Sequence, residues 1–230
     1  MPPLSKKDFK KLPQWDFEDV YNQDAPPRQT TCAQSLRNSQ DESFRKAFLP
    51  NIRLFLHKDN INMSEWNRLS HFNNPFGFME YKYDGRMNGA AITGYEEDVG
   101  SRTSVYVHTA HSITTSLYVF RKYGYISAPH DESIKYVLIP EGMRDFNWLE
   151  GLIKGERVAG GPYINRRPRT YYSGQYNESR FYVLHQDFLR YVRNRFIKSP
   201  NLNATSWAIV RPTNGAFALF LALHTCDTVS

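Results

Sequence analysis

Two cysteines, Cys32 and Cys226, are all that this chain of 230 residues carries, and they lie nearly its whole length apart. That spacing excludes a zinc site built on paired thiolates. It leaves three readings open: buried free thiols, one long-range disulfide, or two orphaned halves of other bonds. Long hydrophobic runs are missing too. The longest covers residues 216–223, far short of the ~20 apolar residues that span a bilayer. The first residues are polar and basic, so no signal peptide or other targeting segment is legible. Either a cytosolic protein or a piece of something longer is expected. Acidic residues are the minority, 23 against 29 Lys and Arg, for a formal net charge of +6. That excess favours anionic partners and fits nucleic acid, an acidic membrane surface or a sugar nucleotide alike. No repeat or heptad pattern is present.

What is there reads as one folded domain with a tail. Hydrophobic residues make up 40% of the chain, too many for disorder. Residues 1–31, rich in Lys, Pro, Gln and Asp, read as a tether, with an aromatic stretch at 12–19 that packs on the domain of residues 32–230. Helices are expected over 43–49, from Ser64 as N-cap through Leu69, over 113–123, over 144–153 with Phe146, Leu149 and Ile153 inward, and over 187–198 as a basic amphipathic segment. Strands are expected at 52–56, 103–108, 135–139, 180–184 and 207–210. Strands alternating with helices of this length imply an α/β fold, a mainly parallel sheet covered on both faces.

Two places invite chemistry. In residues 86–106, Gly89, Gly94 and Gly100 allow tight turns or close approach of a ligand, with Asn88, Tyr95, Asp98 and Arg102 set around them. Near the end, Arg211, Pro212, Thr213, Asn214 and Gly215 form a turn between a strand and an apolar helix. Free amides and the helix dipole favour a phosphate there, and Thr213 and Asn214 can cap or donate. An ordinary capped turn has the same signature. His108 and His111, three apart after a strand, suggest a metal pair, but no Cys or nearby carboxylate completes it. The basic run at 165–172 admits a nucleic-acid reading, against which stands a solvated basic loop.

A resemblance adds to this. Arg86-Met87-Asn88, then Gly94-Tyr95-Glu96, Asp98-Val99-Gly100 and Arg102-Thr103-Ser104 resemble the downstream half of the large sialylmotif of animal-type sialyltransferases. Residues 211–230 resemble the first part of the small sialylmotif. Stretches at 13–21, 48–52, 64–69, 76–80, 144–149 and 185–196 are similar to one branch, the N-acetylgalactosaminide α-2,6-sialyltransferases. The resemblance implies a modified Rossmann-like, GT-A-like sheet and a Golgi lumenal, type II membrane-anchored enzyme. It also implies transfer of sialic acid from CMP-sialic acid to the 6-hydroxyl of GalNAc on O-linked glycoproteins, without metal, cofactor or nucleic acid. By analogy Asn88, Thr213 and Gly215 contact the donor nucleotide, and Asn214 stands where the family has Ser or Thr. Asn62, Asn177 and Asn203 begin N-x-S/T tripeptides, which favour the secretory lumen.

Two departures shape the expectation. The Gly-Asn-Gly-Gly half of the large motif, with its buried strand, is absent between Asp84 and Gly85, and residue 230 falls within the small motif. The family's catalytic histidine is therefore not among the seven present, and the family partners of Cys32 and Cys226 are missing as well. The domain is expected to lack a core strand and the chain to show no turnover. The alternative is an inactive truncated form that keeps only partner or glycan binding.

Overall fold

The computed structural model describes residues 18–57, 62–72, 76–77, 102–174, 176–205 and 210–229. In chain order these form α1 (Glu42–Ala47), α2 (Met63–Leu69), β1 (Val105–His108), α3 (Ala110–Val119), β2 (Lys135–Leu138), α4 (Met143–Lys154), β3 (Phe181–Val183), α5 (Gln186–Tyr191) and α6 (Asn214–Thr225). The chain groups into two compact units, Tyr81–Val183 and Met1–Glu80 with Leu184–Ser230.

The middle unit is the α/β part. Its strands lie in the order β1-β2-β3, all parallel, with Val105 opposite Lys135 and Tyr136 opposite Phe181. Helices α3 and α4 make the two crossovers, so the expected parallel sheet with helical connections is present. The core is aromatic. Trp148 of α4 is fully buried, meets Tyr171 edge-on at 4.9 Å and donates its indole N–H to the Tyr172 hydroxyl at 3.2 Å. Tyr172 in turn lies 3.3 Å from His108 Nε2, and Tyr136 stacks on Phe181.

Helix α4 corrects the expected face. Asp145, Trp148, Gly151 and Leu152 are buried; of the expected face, Leu149 packs half-buried against the same core, whereas Ile153 is 53% exposed. Two apolar stripes run along this helix, and the stripe holding the indole wins because it removes more apolar surface from water. Gly151 lets the segment at Pro168 approach, since a Cβ there would sit 3.2 Å from the proline ring.

The other unit is built on α5. Phe188, Leu189, Tyr191 and Val192 are buried, and the helix gives way at Val192–Phe196 to a wider π turn instead of running on to residue 198. Its arginines are not solvated either: Arg190 and Arg193 are inside, lying 3.8 Å over the Phe72 ring and 3.9 Å over the Phe76 ring. The expected strand at 52–56 is reduced to a single antiparallel bridge, Phe55 with Leu184. The ladder stops because the chain turns into helix immediately afterwards, at His185. Asn62, not Ser64, caps α2, accepting the Glu65 amide at 3.0 Å. Part of the expected tether is also packed: Tyr21 is buried, and the Asn22 amide donates to Asp187 Oδ2 at 2.7 Å. Of the strand expected at 207–210, residues 207–209 lie outside the described residues.

Candidate functional site

Helix α6 begins at a turn whose side chains mostly serve the helix. Thr213 Oγ1 accepts the Ala216 amide at 3.1 Å, and its carbonyl takes the Phe217 amide. Arg211 Nη2 donates to Asn214 Oδ1 at 2.7 Å. Asn214 thus offers its carbonyl oxygen to the protein, which leaves its amide nitrogen, a donor, for anything bound outside. A helix start has amides without intrahelical partners, and here those of Asn214 and Gly215 remain after Thr213 has served the next two. Thr213 and Gly215 are exposed. A Cβ at Gly215 would meet only Thr213 Oγ1, at an ordinary 3.8 Å, so packing does not require glycine there. This is an open, positively polarised end, suited to an anion.

A second helix start is closed. Thr109 and Ser112 cap α3 reciprocally, and the Asp145 carboxylate joins them at the first amide of the helix. Its Oδ1 accepts the Ala110 amide at 2.7 Å and its Oδ2 the Glu141 amide at 3.0 Å. Glu141 is itself buried and pairs with Arg144. Burial, then the charge of Glu141, pushes the Asp145 pKa up to about 7 against the pull of the two amides and Arg144. Sequence reading missed this cluster, whose legible trace is an acid in the first turn of a helix that Gly142 leaves without a side-chain cap.

Among the described residues, one set of side chains has the spacing of a metal site: Glu65, His185 and Asp187. A cation is already there. Arg68 reaches Glu65 Oε1 at 2.6 Å and Asp187 Oδ2 at 2.7 Å, and Arg190 reaches Asp187 Oδ1 at 3.0 Å. Burial opposes both carboxylate charges, but Arg68 and His185 hold Glu65 well below its usual range, and Arg190 with its neighbours lowers Asp187. The set is an ion-pair network that ties α2 to α5. His185 caps α5, its Nδ1 accepting the Asp187 amide at 3.0 Å. His108 and His111 form no pair: His108 is buried against Tyr172, and His111 Nδ1 lies 3.1 Å from the Tyr163 hydroxyl.

The basic run at 165–172 is turned inward in part. Arg166 donates to the hydroxyls of Tyr118 and Tyr171, and Arg169 to the carbonyls of Leu152 and Ile153 at the end of α4. The sequon asparagines Asn62, Asn177 and Asn203 are all exposed. Cys32 and Cys226 are free thiols. Asn88 lies outside the described residues, as does most of the stretch 86–106. Among the described residues no helix is long and apolar enough to cross a membrane.

Comparison with known proteins now bears on the α6 turn. The profile of glycosyltransferase family 29, the sialyltransferases, matches residues 83–230, which include the whole sheet and α6. The chain belongs to this family. Its curated relatives include alpha-N-acetylgalactosaminide alpha-2,6-sialyltransferase 1 of Gallus gallus, 36% identical over 287 residues, 99% of this chain and 51% of the relative. The same-named proteins of Mus musculus and Homo sapiens are each 34% identical over 99% of this chain, and 55% and 48% of their own lengths. The chain therefore spans about half the length of the curated relatives it matches. Among family 29 members, then, this chain resembles the N-acetylgalactosaminide α-2,6-sialyltransferases.

Proposed function

We propose that this chain acts as a CMP-sialic-acid-dependent α-2,6-sialyltransferase that places sialic acid on the 6-hydroxyl of GalNAc in O-linked glycoproteins of the Golgi lumen. The observation that carries this is the 34–36% identity to relatives so named, sustained over 99% of the chain. The α6 start supports it physically. Transfer leaves charge on the departing phosphate, and preformed donors aimed at that charge speed the reaction. The Asn214 and Gly215 amides, the Thr213 hydroxyl and the Asn214 amide nitrogen are such donors, and the helix dipole adds to them. Asn88 belongs with them as the nucleotide contact from the large motif. Neither metal nor redox cofactor has a part in this reading.

The same alignments support the expected internal gap. They extend over 287 residues, more than the 230 of this chain, so the relatives carry segments here that it does not. The first half of the large motif, with its strand and glycine turn, is the segment we place in that gap.

The test is a transfer assay with CMP-sialic acid and a GalNAc-bearing peptide, run beside a binding titration with CMP. Sialylated peptide establishes the activity. Binding without transfer points instead to an inactive form that retains ligand recognition. Neither binding nor transfer removes the donor site from α6.

A further inference from the structure

A cavity of about 310 Å³ in the unit built on α5 holds more positive charge than its own acid balances. Three of the side chains lining it are arginines, Arg28, Arg37 and Arg53, and one is an acid, Asp24. Asp24 is engaged, its Oδ1 accepting Arg53 Nε at 2.6 Å. Arg37 donates Nη1 to the Arg28 carbonyl at 3.0 Å, while its Nε is buried with no acceptor among the described residues. Burial, then the charge of Arg28, lowers the Arg37 pKa against the pull of Asp227, so the two guanidinium groups lie near enough to repel. Much of the remaining wall is apolar, formed by Pro26, Pro50, Ile52, Leu54 and Phe55.

His224 and Thr225, at the far end of α6 from Thr213, complete the wall. Bare carbonyls at a helix C-terminus disfavour an anion, but here three of them are taken. The Phe220 carbonyl accepts His224 Nδ1 at 2.7 Å, that of Leu221 the Thr225 hydroxyl at 2.8 Å, and that of Ala222 the Cys226 amide at 2.8 Å. Burial, with the Arg37 charge as a smaller cause, holds the His224 pKa down to about 4. The imidazole is therefore neutral near pH 7, and the charge facing the cavity is that of the arginines and Asp24.

We propose that this cavity binds a small organic carboxylate with an apolar body, its oxygens at Arg28 and Arg37 and its body against Pro50, Leu54 and Phe55. A carboxylate matches the planar guanidinium fork, gives Arg37 Nε an acceptor and relieves the repulsion between the two arginines. The volume suits a small molecule. An inorganic anion would answer the charge and leave the apolar wall wet. The site does not rest on the transferase reading, since neither Thr213 nor Gly215 lines it.

The test is to titrate phenylacetate calorimetrically into the full chain, in a buffer free of phosphate and other carboxylates. Phenylacetate is expected to saturate one site, with phenylacetamide, which lacks the charge, and acetate, which lacks the body, each about tenfold weaker or more. Arg37→Gln and Arg28→Gln should each weaken phenylacetate by about tenfold. Arg28 is exposed, so its variant keeps the test decisive should loss of Arg37 disturb folding. An excess of CMP should leave the affinity unchanged. No saturable binding, equal affinity for either analogue, or unchanged affinity in Arg28→Gln would each overturn the proposal. Displacement by CMP would overturn it too, moving the anion to the start of α6.

Discussion

Helices α3 and α6 begin alike and end up with different roles. Each follows a threonine N-cap with a small or polar residue, and each threonine hydroxyl accepts the amide three residues on. At α3 the threonine is buried, the cap is reciprocated by Ser112, and a carboxylate from 35 residues further along takes the Ala110 amide. At α6 the threonine is exposed and no acid approaches from another element among the described residues. A similar local signature is thus a structural joint in one place and an open start, suited to an anion, in the other. What decides is whether the fold supplies its own anion.

Removing that anion is expected to have the largest effect. Asp145→Ala would leave the Ala110 and Glu141 amides buried without acceptors and Arg144 with one carboxylate fewer, costing roughly 3–5 kcal/mol. Urea denaturation would read it, and a midpoint near that of the unaltered protein would mean the closed start is not held by its carboxylate. Asp145→Asn tests the charge separately. With its folded pKa raised to about 7, Asp145 keeps a proton that the unfolded chain has released, so the stability it contributes declines as pH rises from about 4 to about 7. The slope approaches about 1.4 kcal/mol per pH unit and levels off above 7. His108, its pKa held down to about 4 by burial, slopes the other way in both proteins and cancels in their difference. Parallel pH profiles for the two proteins would sink this assignment.

The caps themselves should separate next. Thr109→Ala breaks a buried, reciprocal cap and is expected to cost about 2 kcal/mol, against about 1 kcal/mol for the exposed Thr213→Ala. Only the second should also weaken CMP binding, with Thr213→Ser restoring it. Equal costs, or CMP affinity lost in the first variant alone, would erase the distinction between a closed and an open start.

How much of this was legible in the sequence follows from range. The alternation of Val105 and Val107 and the threonine before α6 are local, and the three strands of the sheet and the helix starts came out within a few residues, whereas the strand expected at 52–56 came down to a single bridge. The branch of the family was legible from short motifs as well. Asp145 was not, because the Ala110 amide it serves lies 35 positions away and its local trace, an acid in the first turn of a helix without a side-chain cap, does not point to that partner. The burial of Arg190 and Arg193 within the expected basic amphipathic segment was not legible, since only the fold brings the Phe72 and Phe76 rings against them. Periodicity failed in α4 for a different reason: it offered two apolar stripes, and only the aromatic partners of Trp148 choose between them. At the candidate site, the Thr213 cap and the amides it leaves over could be expected from the turn alone. That Arg211 occupies Asn214 Oδ1 and so fixes which end of that amide faces out could not.

The smallest expected change in stability belongs to Gly215→Ala, and it bears most directly on the open start. Alanine is the better helix former, and the added methyl would lie 3.8 Å from Thr213 Oγ1, an ordinary contact. The folded chain should therefore keep its stability within about 0.5 kcal/mol or gain slightly. A ligand drawn up to the Gly215 amide has no such latitude, because the methyl stands where the phosphate would approach. CMP affinity falling several-fold at unchanged stability is the expected pair of results. Unchanged affinity would mean the nucleotide does not come to the start of α6, and the open amides would then be no more than an ordinary solvated helix end.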